Sequence, residues 1–238
     1  MKQDRRKFVN ELGGFRRAVL ACLFISAILA HTGCHPGMLA VLGTPTSAEM
    51  KTGAEFDLTA EKDKKILILV DQPTLFNTGL NMRYILTDAT GKLLQERLKI
   101  EPEQIIDYDA LADFRANTDD FSLLSPEKVG ASLGADLVLL IIITDFSVSD
   151  VGQTGYPGGT LTAQAQLISV ATGQRLWPAV EQARIVRVGF ESEKRGADAA
   201  TVRLAVNTAH CIIRYLYNCP KNQFQNSDEI KDIGWESK

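Results

Sequence analysis

The sequence predicts an α/β domain, a single mixed sheet with flanking helices and an antiparallel hairpin, set behind a cleaved signal peptide and a flexible tether. Three stretches carry that prediction. "KKILILVDQP" at 64–73 holds a continuous apolar run from Ile66 to Val70, the mark of a strand buried on both faces of an α/β sheet. "LSPEKVGASLGADLVLLIIITDF" at 124–146 reads as a short helix followed by a central strand. "LTAQAQLISV" at 161–170 alternates apolar and polar residues, as a half-buried antiparallel strand does.

The elements follow in order. After the first strand, 78–99 ("TGLNMRYILTDATGKLLQERLK") partly fits helical spacing through Leu80, Tyr84 and Leu86, while "DATGK" reads as a turn. The spacing therefore predicts a helix to about Asp88 and a second element after Gly91. "QIIDY" at 104–108 reads as a short strand, and "DALADFRAN" as a helix from about Asp109. In the 124–146 stretch, Ser125 caps the helix, Pro126 takes its first position and Glu127 lies at the positive end of its dipole. Gly134 ends it, and Leu137–Ile143 form the strand.

"SVSDVGQTGYPGGT" at 147–160 reads as a loop, and the chain after it as a hairpin turning at Thr172-Gly173. From Ala197 to Leu216, Val202, Ala205, Val206, Ala209, Ile212, Ile213 and Leu216 recur at helical spacing. Arg203, Asn207, His210 and Arg214 then form the expected solvated face. The expected organisation is a signal peptide at 1–33, a tether at 34–63, the α/β domain at 64–218 and a polar tail at 219–238.

The leader is legible from charge. Residues 1–17 carry Lys2, Arg5, Arg6, Lys7, Arg16 and Arg17, whereas 18–33 ("AVLACLFISAILAHTG") carry no charge. A basic start, a short apolar run and small residues before a cut describe a secretory signal. Its removal lowers Lys plus Arg from 26 to 20 and Asp plus Glu from 29 to 27, moving the net charge from −3 to −7. Such an acidic chain has no electrostatic footprint for nucleic acid.

"AHTGC" at 30–34 resembles the lipobox of bacterial lipoproteins, in which the cysteine after a small residue receives a diacylglyceryl group. Gly33 and Thr32 fit, and His31 departs from the usual aliphatic residue. Ordinary signal cleavage near Gly33 is the alternative. "VLAC" at 19–22 also has the pattern but leaves too short an apolar segment before it. "DRRKFVN" resembles a twin-arginine export motif, so the export route stays open. The resemblance makes Cys34 the membrane anchor and, through His35 rather than Asp after it, favours the outer membrane. With Cys22 removed and Cys34 lipidated, Cys211 and Cys219 remain as a candidate disulfide, left open because a continuous helix would hold them ~12 Å apart.

"KKILIL", "GADLVL" and "ATGQRLW", with the last amphipathic helix, together resemble the envelope lipoprotein superfamily of the curli secretion lipoprotein and the peptidoglycan-synthase activator, over about 64–217. "VDQPTLFNTG" departs from the first-strand ending expected there. The resemblance implies a lipid-anchored, non-catalytic interaction or assembly module of the cell envelope, facing the periplasm, with another envelope protein as partner. An oligomeric secretion-channel component and a periplasmic hydrolase or solute-binding protein are the alternatives.

The residues themselves disfavour catalysis. Beyond residue 33 only His35 and His210 remain, and there is no G-x-S-x-G, G-x-G-x-x-G or P-loop. No cofactor and no metal site is expected, because His210, Cys211 and Cys219 lack a fourth ligand at suitable spacing. Asp107, Asp109, Asp113, Asp119 and Asp120 read as solvated helix ends. Asp71 ends the first strand, where open α/β sheets place ligands. "GYPGG" at 155–159 reads as a plain solvent loop first, then as a partner contact through Tyr156 and Gly158, and last as a ligand loop.

Overall fold

Hydrophobic pattern and topology agree across the sheet. The computed structural model describes residues 50–72, 80–150 and 155–230, so Cys34 and the signal lie outside the described residues. β2 (Ile66–Asp71) pairs parallel with β3 (Leu137–Asp150), in register from Ile66↔Leu137 to Asp71↔Ile142. β3 pairs antiparallel with β4 (Pro157–Ser169). The far edge of β4 carries two short strands end to end, β5 (Arg175–Trp177) and β6 (Arg184–Phe190). The mixed sheet with flanking helices is thus the one expected.

On one face, Ile66, Ile68 and Val70, Leu139 and Ile141, and Leu161 to Leu167 at alternate positions lie under two helices. These are α1 (Met82–Leu93) and α4 (Ala197–Ile213), which contribute Met82 and Leu86, and Leu204, Ala205 and Ile212. The opposite face buries Leu67, Leu69, Val138 and Leu140 under Leu111 of α2 (Tyr108–Ala116) and Val129 of α3 (Pro126–Ser132). Two covered faces require the unbroken apolar run from Ile66 to Val70 in β2, whereas β4 is flanked by helices mainly on one face and alternates. Gly134 leaves α3 at φ +70, a left-handed position that suits glycine at a helix end.

Five local expectations differ from the structure. First, α1 does not stop at Asp88. It runs through "DATGK" to Leu93 and continues as a π-turn over Leu94–Leu98. Ala89, Thr90 and Gly91 are buried there, and Lys92 pairs with Asp88 at 2.7 Å. That burial outweighs the ~1 kcal/mol helix cost of glycine.

Second, the expected strand at 104–108 shrinks to one parallel bridge, Ile66↔Ile105, and Asp107 caps α2. Third, 147–160 is mostly strand. The β3–β4 ladder runs out to Asp150↔Pro157, and the residues between, 151–154, lie outside the described residues. Gly159 permits this, since a Cβ there would stand 2.9 Å from Leu204 Cδ1.

Fourth, the tether ends earlier than residue 63. β1 (Lys51–Thr52) pairs with β7 (Cys219–Pro220), and Leu58 is fully buried. Fifth, part of the polar tail is packed. β7, the single helical turn α5 (Lys221–Phe224) and a bridge from Glu229 to Val188 hold 219–230 on the body. Residues 231–238 lie outside the described residues.

Candidate functional site

The residues singled out from sequence fall in different places. Cys34 is outside the described residues. Tyr156 is 42 % exposed just ahead of β4, but Gly158 is buried within that strand opposite Ser149, so the two do not form one exposed loop. α4 ends at Ile213, before Leu216, and Cys211 and Cys219 stand as free, buried thiols. Asn226 donates to Cys211 Sγ at 3.5 Å, and Cys219 Sγ lies 3.1 Å from the Tyr217 hydroxyl. Burial pushes the Cys211 thiol up to about 12, which keeps it protonated and unreactive at neutral pH. Among the described residues no group of three His, Cys, Asp or Glu is placed to hold a metal. Asp109, Asp113, Asp119 and Asp120 are exposed.

The face of α4 expected to be solvated is instead a clamp. Val202 and Val206 are 43 % and 45 % exposed, while Arg214 is 4 % exposed. Arg203 holds Asp228 with two bonds, Nε–Oδ2 at 2.6 Å and Nη2–Oδ1 at 2.7 Å, and its guanidinium stacks 4.2 Å from the Phe190 ring centre. Asn207 donates to Asp228 at 2.7 Å. Arg214 donates twice to Glu229, to the Phe224 carbonyl at 2.7 Å and to the Tyr215 hydroxyl at 2.9 Å. The signal for this clamp was present as basic residues at i and i+11 of a helix facing the acidic "SDE" of the tail.

Glu193 joins the network between Arg195 and Arg203. Hydrogen bonds from the side chain and backbone of Arg195 hold its carboxyl down to about 2, with the Arg195 and Arg203 charges adding to the effect. A carboxyl depressed below its ordinary value of 4.5 contributes stability that is present above that value and is lost as pH falls towards about 2. Urea unfolding is therefore expected to show Glu193→Gln less stable than the wild type at neutral pH. The two should converge as pH approaches about 2.

A second cluster forms at the carboxyl end of β2, beside the exposed Asp71. The outer edge of β2 is bonded to Ile106 through the Ile66 carbonyl. Farther along, Arg115 of α2 donates from Nη2 to the Val70 carbonyl at 3.4 Å, and Arg83 of α1 donates from Nη2 to the Gln72 carbonyl at 2.9 Å. Carbonyls two residues apart on an extended strand point the same way roughly 7 Å apart, so the two guanidiniums converge on one edge. Burial lowers the pKa of Arg115, and the charge of Arg83 lowers it further, while Asp71 acts in the opposite sense.

Arg83 Nε is buried without a hydrogen-bond partner, and among the described residues neither arginine forms an ion pair. Tyr84, 49 % exposed, meets Tyr108 edge-on with ring centres 5.3 Å apart, and Asn81 donates to the Tyr108 hydroxyl at 2.9 Å. The arrangement can cap strand carbonyls and hold an anionic group. Sequence reasoning found Asp71 there but missed both arginines, because nothing in "NMRY" or "DFRAN" says that their helices meet at one strand end. A separate open cleft of roughly 380 Å³ is lined by Lys51, Thr59, Glu96, Arg97 and Gln223, a mixture of charges with no focus.

No protein-family model matches the chain. A protein of Neisseria meningitidis serogroup B, whose assigned name is that of a lipoprotein, is 25 % identical over 173 residues, covering 72 % of this chain and 78 % of its own. Among solved structures, the lipoprotein GNA1162 of Neisseria meningitidis shares 21 % identity, at a TM-score of 0.39 over 59 % of this chain and 92 % of its own. The LpoB C-terminal domain of Salmonella enterica shares 16 %, at a TM-score of 0.33 over 54 % and 83 %. At such scores the two superpositions decide neither fold nor role. In sequence, the chain resembles a protein that bears the name of a lipoprotein.

Proposed function

We propose that this chain is a lipid-anchored cell-envelope protein. It is exported by a leader ending at Gly33, anchored through a diacylglyceryl group on Cys34, and folded from residue 50 onwards into a non-catalytic interaction or assembly module. The observation that carries the reading is the pairing of "AHTGC" with a lipoprotein relative matched along 173 residues. Several acyl chains on one N-terminus, at ~0.8 kcal/mol for each buried CH₂, hold a protein on a bilayer almost permanently. The periplasmic face is proposed because the leader is of the secretory kind, and the outer membrane because His35 follows the cysteine.

The absence of nucleotide and nucleophile motifs and the inert Cys211 support a module without chemistry of its own. Cell fractionation tests the reading. Wild-type protein is expected with the membranes and is released only by detergent, whereas Cys34→Ser is expected in the soluble fraction or retained with its leader uncut. A wild-type protein recovered without detergent contradicts the anchor.

A further inference from the structure

We propose that the outer edge of β6 is a strand-docking site whose resident occupant, residues 228–230, exchanges for an acidic extended segment of a partner protein. The inner edge of β6 is taken up by β4, from Ala165↔Arg184 to Gly159↔Phe190. Its outer edge holds the chain's own tail. Gly189 donates to the Asp228 carbonyl at 2.7 Å, Ile230 donates to the Arg187 carbonyl at 2.9 Å, and Val188 bridges to Glu229. This is the antiparallel pattern by which an added peptide extends a sheet. Gly189 is fitted to the occupant. It has no positive φ that would call for glycine, and a Cβ there would stand 2.8 Å from Ile230 Cδ1. The missing side chain makes room for the one laid across the edge.

The occupant is held by charge rather than by apolar burial. No side chain from 225–230 belongs to either apolar cluster, and Ile230 is 40 % exposed. The hold comes instead from Arg203 and Asn207 on Asp228 and from Arg214 on Glu229. Lifting the segment leaves these donors partly served. Arg203 keeps Glu193 at 3.6 Å, and Arg214 keeps the Phe224 carbonyl and the Tyr215 hydroxyl. Gln225, extended and exposed between α5 and the segment, is the hinge.

A partner strand with adjacent Asp and Glu followed by an aliphatic residue restores each of these bonds, so the exchange runs close to even. The basic side chains over the edge make it selective, since a neutral strand would satisfy the backbone and leave both arginines short of an anion. That the partner belongs to the envelope rests on the proposed function, whereas the exchange itself does not.

The test uses the full chain extracted in detergent, as wild type and as Asp228→Asn with Glu229→Gln, which keeps the tail's shape and removes its charge. Fluorescence anisotropy follows a labelled peptide of sequence FQNSDEI and a neutral counterpart with Asn and Gln in place of its two acids. In the wild type the tethered tail competes at an effective concentration on the order of millimolar. The acidic peptide is therefore expected to bind at least tenfold more tightly to the double variant. The neutral peptide is expected to bind that variant at least tenfold more weakly than the acidic one, the usual loss for hydrogen bonds to charged groups. Hydrogen exchange gives a second reading. Stretch 184–190 is expected to exchange faster in the double variant while 137–143 and 161–167 stay as in the wild type, and the acidic peptide is expected to slow it again. Exchange that rises across the whole sheet together would mean that the tail does not lift alone, and overturns the proposal. Equal or absent binding of the acidic peptide by the two proteins overturns it, as does equal binding of the two peptides. No readout depends on Cys34, so failure of the anchor is read separately, from the location and mass of the mature chain.

Discussion

Replacing Arg214 by alanine is expected to destabilise the domain by about 3–5 kcal/mol, the usual consequence of removing one partner of a buried ion pair. The guanidinium is 4 % exposed and the Glu229 carboxylate 15 % exposed, so alanine would strand a desolvated negative charge. It would also strand the Phe224 carbonyl and remove the cation held 4.5 Å from the Phe224 ring centre and 4.9 Å from that of Tyr215. The residues affected are those that fasten α5 and the 226–230 segment to α4. Urea denaturation measures the loss, and the pair Arg214→Met with Glu229→Leu separates charge from packing. If stranded charge dominates, that double variant recovers most of the lost stability. If it falls as far as Arg214→Ala, the clamp is held by shape and the electrostatic account of it is wrong.

Trp177→Ala is expected to cost a similar ~3–5 kcal/mol. The indole is fully buried at the end of β5, against the Tyr215 ring at 6.2 Å between centres, and its Nε1 donates to Glu55 at 2.9 Å. That bond is also what fastens the segment before β2, since Glu55 pairs with Arg184 as well. For a domain of this size the loss corresponds to a drop in melting temperature of roughly 10 °C. Trp177→Phe keeps most of the buried ring and gives up the hydrogen bond, so it is expected to lose only ~1 kcal/mol. Equal melting of the alanine and phenylalanine variants would contradict the packing account. Because Trp177 and Arg214 both touch Tyr215, their combined effect is expected to depart from the sum of the two.

Those two sites also mark where sequence reasoning ran out. The β2 and β3 strands were legible because burial on both faces leaves a continuous apolar run, and β4 because burial on one face leaves alternation. The start of α3 was legible from Ser125 and Pro126. By contrast, residues 50–63 and 219–230 look like linker and tail because few of their contacts are local. Lys51 pairs with Pro220 and Glu55 with Trp177, partners more than a hundred residues away that no window along the chain can see.

The same blindness misassigned α4. Its polar stripe reads as solvated until a second segment with the opposite charge is folded over it. Asp71 was recognisable as a strand end, but the convergence of Arg83 and Arg115 on it depends on where α1 and α2 cross the sheet edge. Topology sets that crossing, and local residue patterns do not report it.

The anchor is the claim on which the envelope assignment stands, and the intact mass of the membrane-extracted protein tests it most directly. The account predicts a mature chain that begins at Cys34 and carries the mass of a diacylglyceryl group with its acyl chains, a species absent from Cys34→Ser. A mature wild-type chain of unmodified mass in the soluble fraction would contradict it, and would leave the domain without the membrane address proposed here.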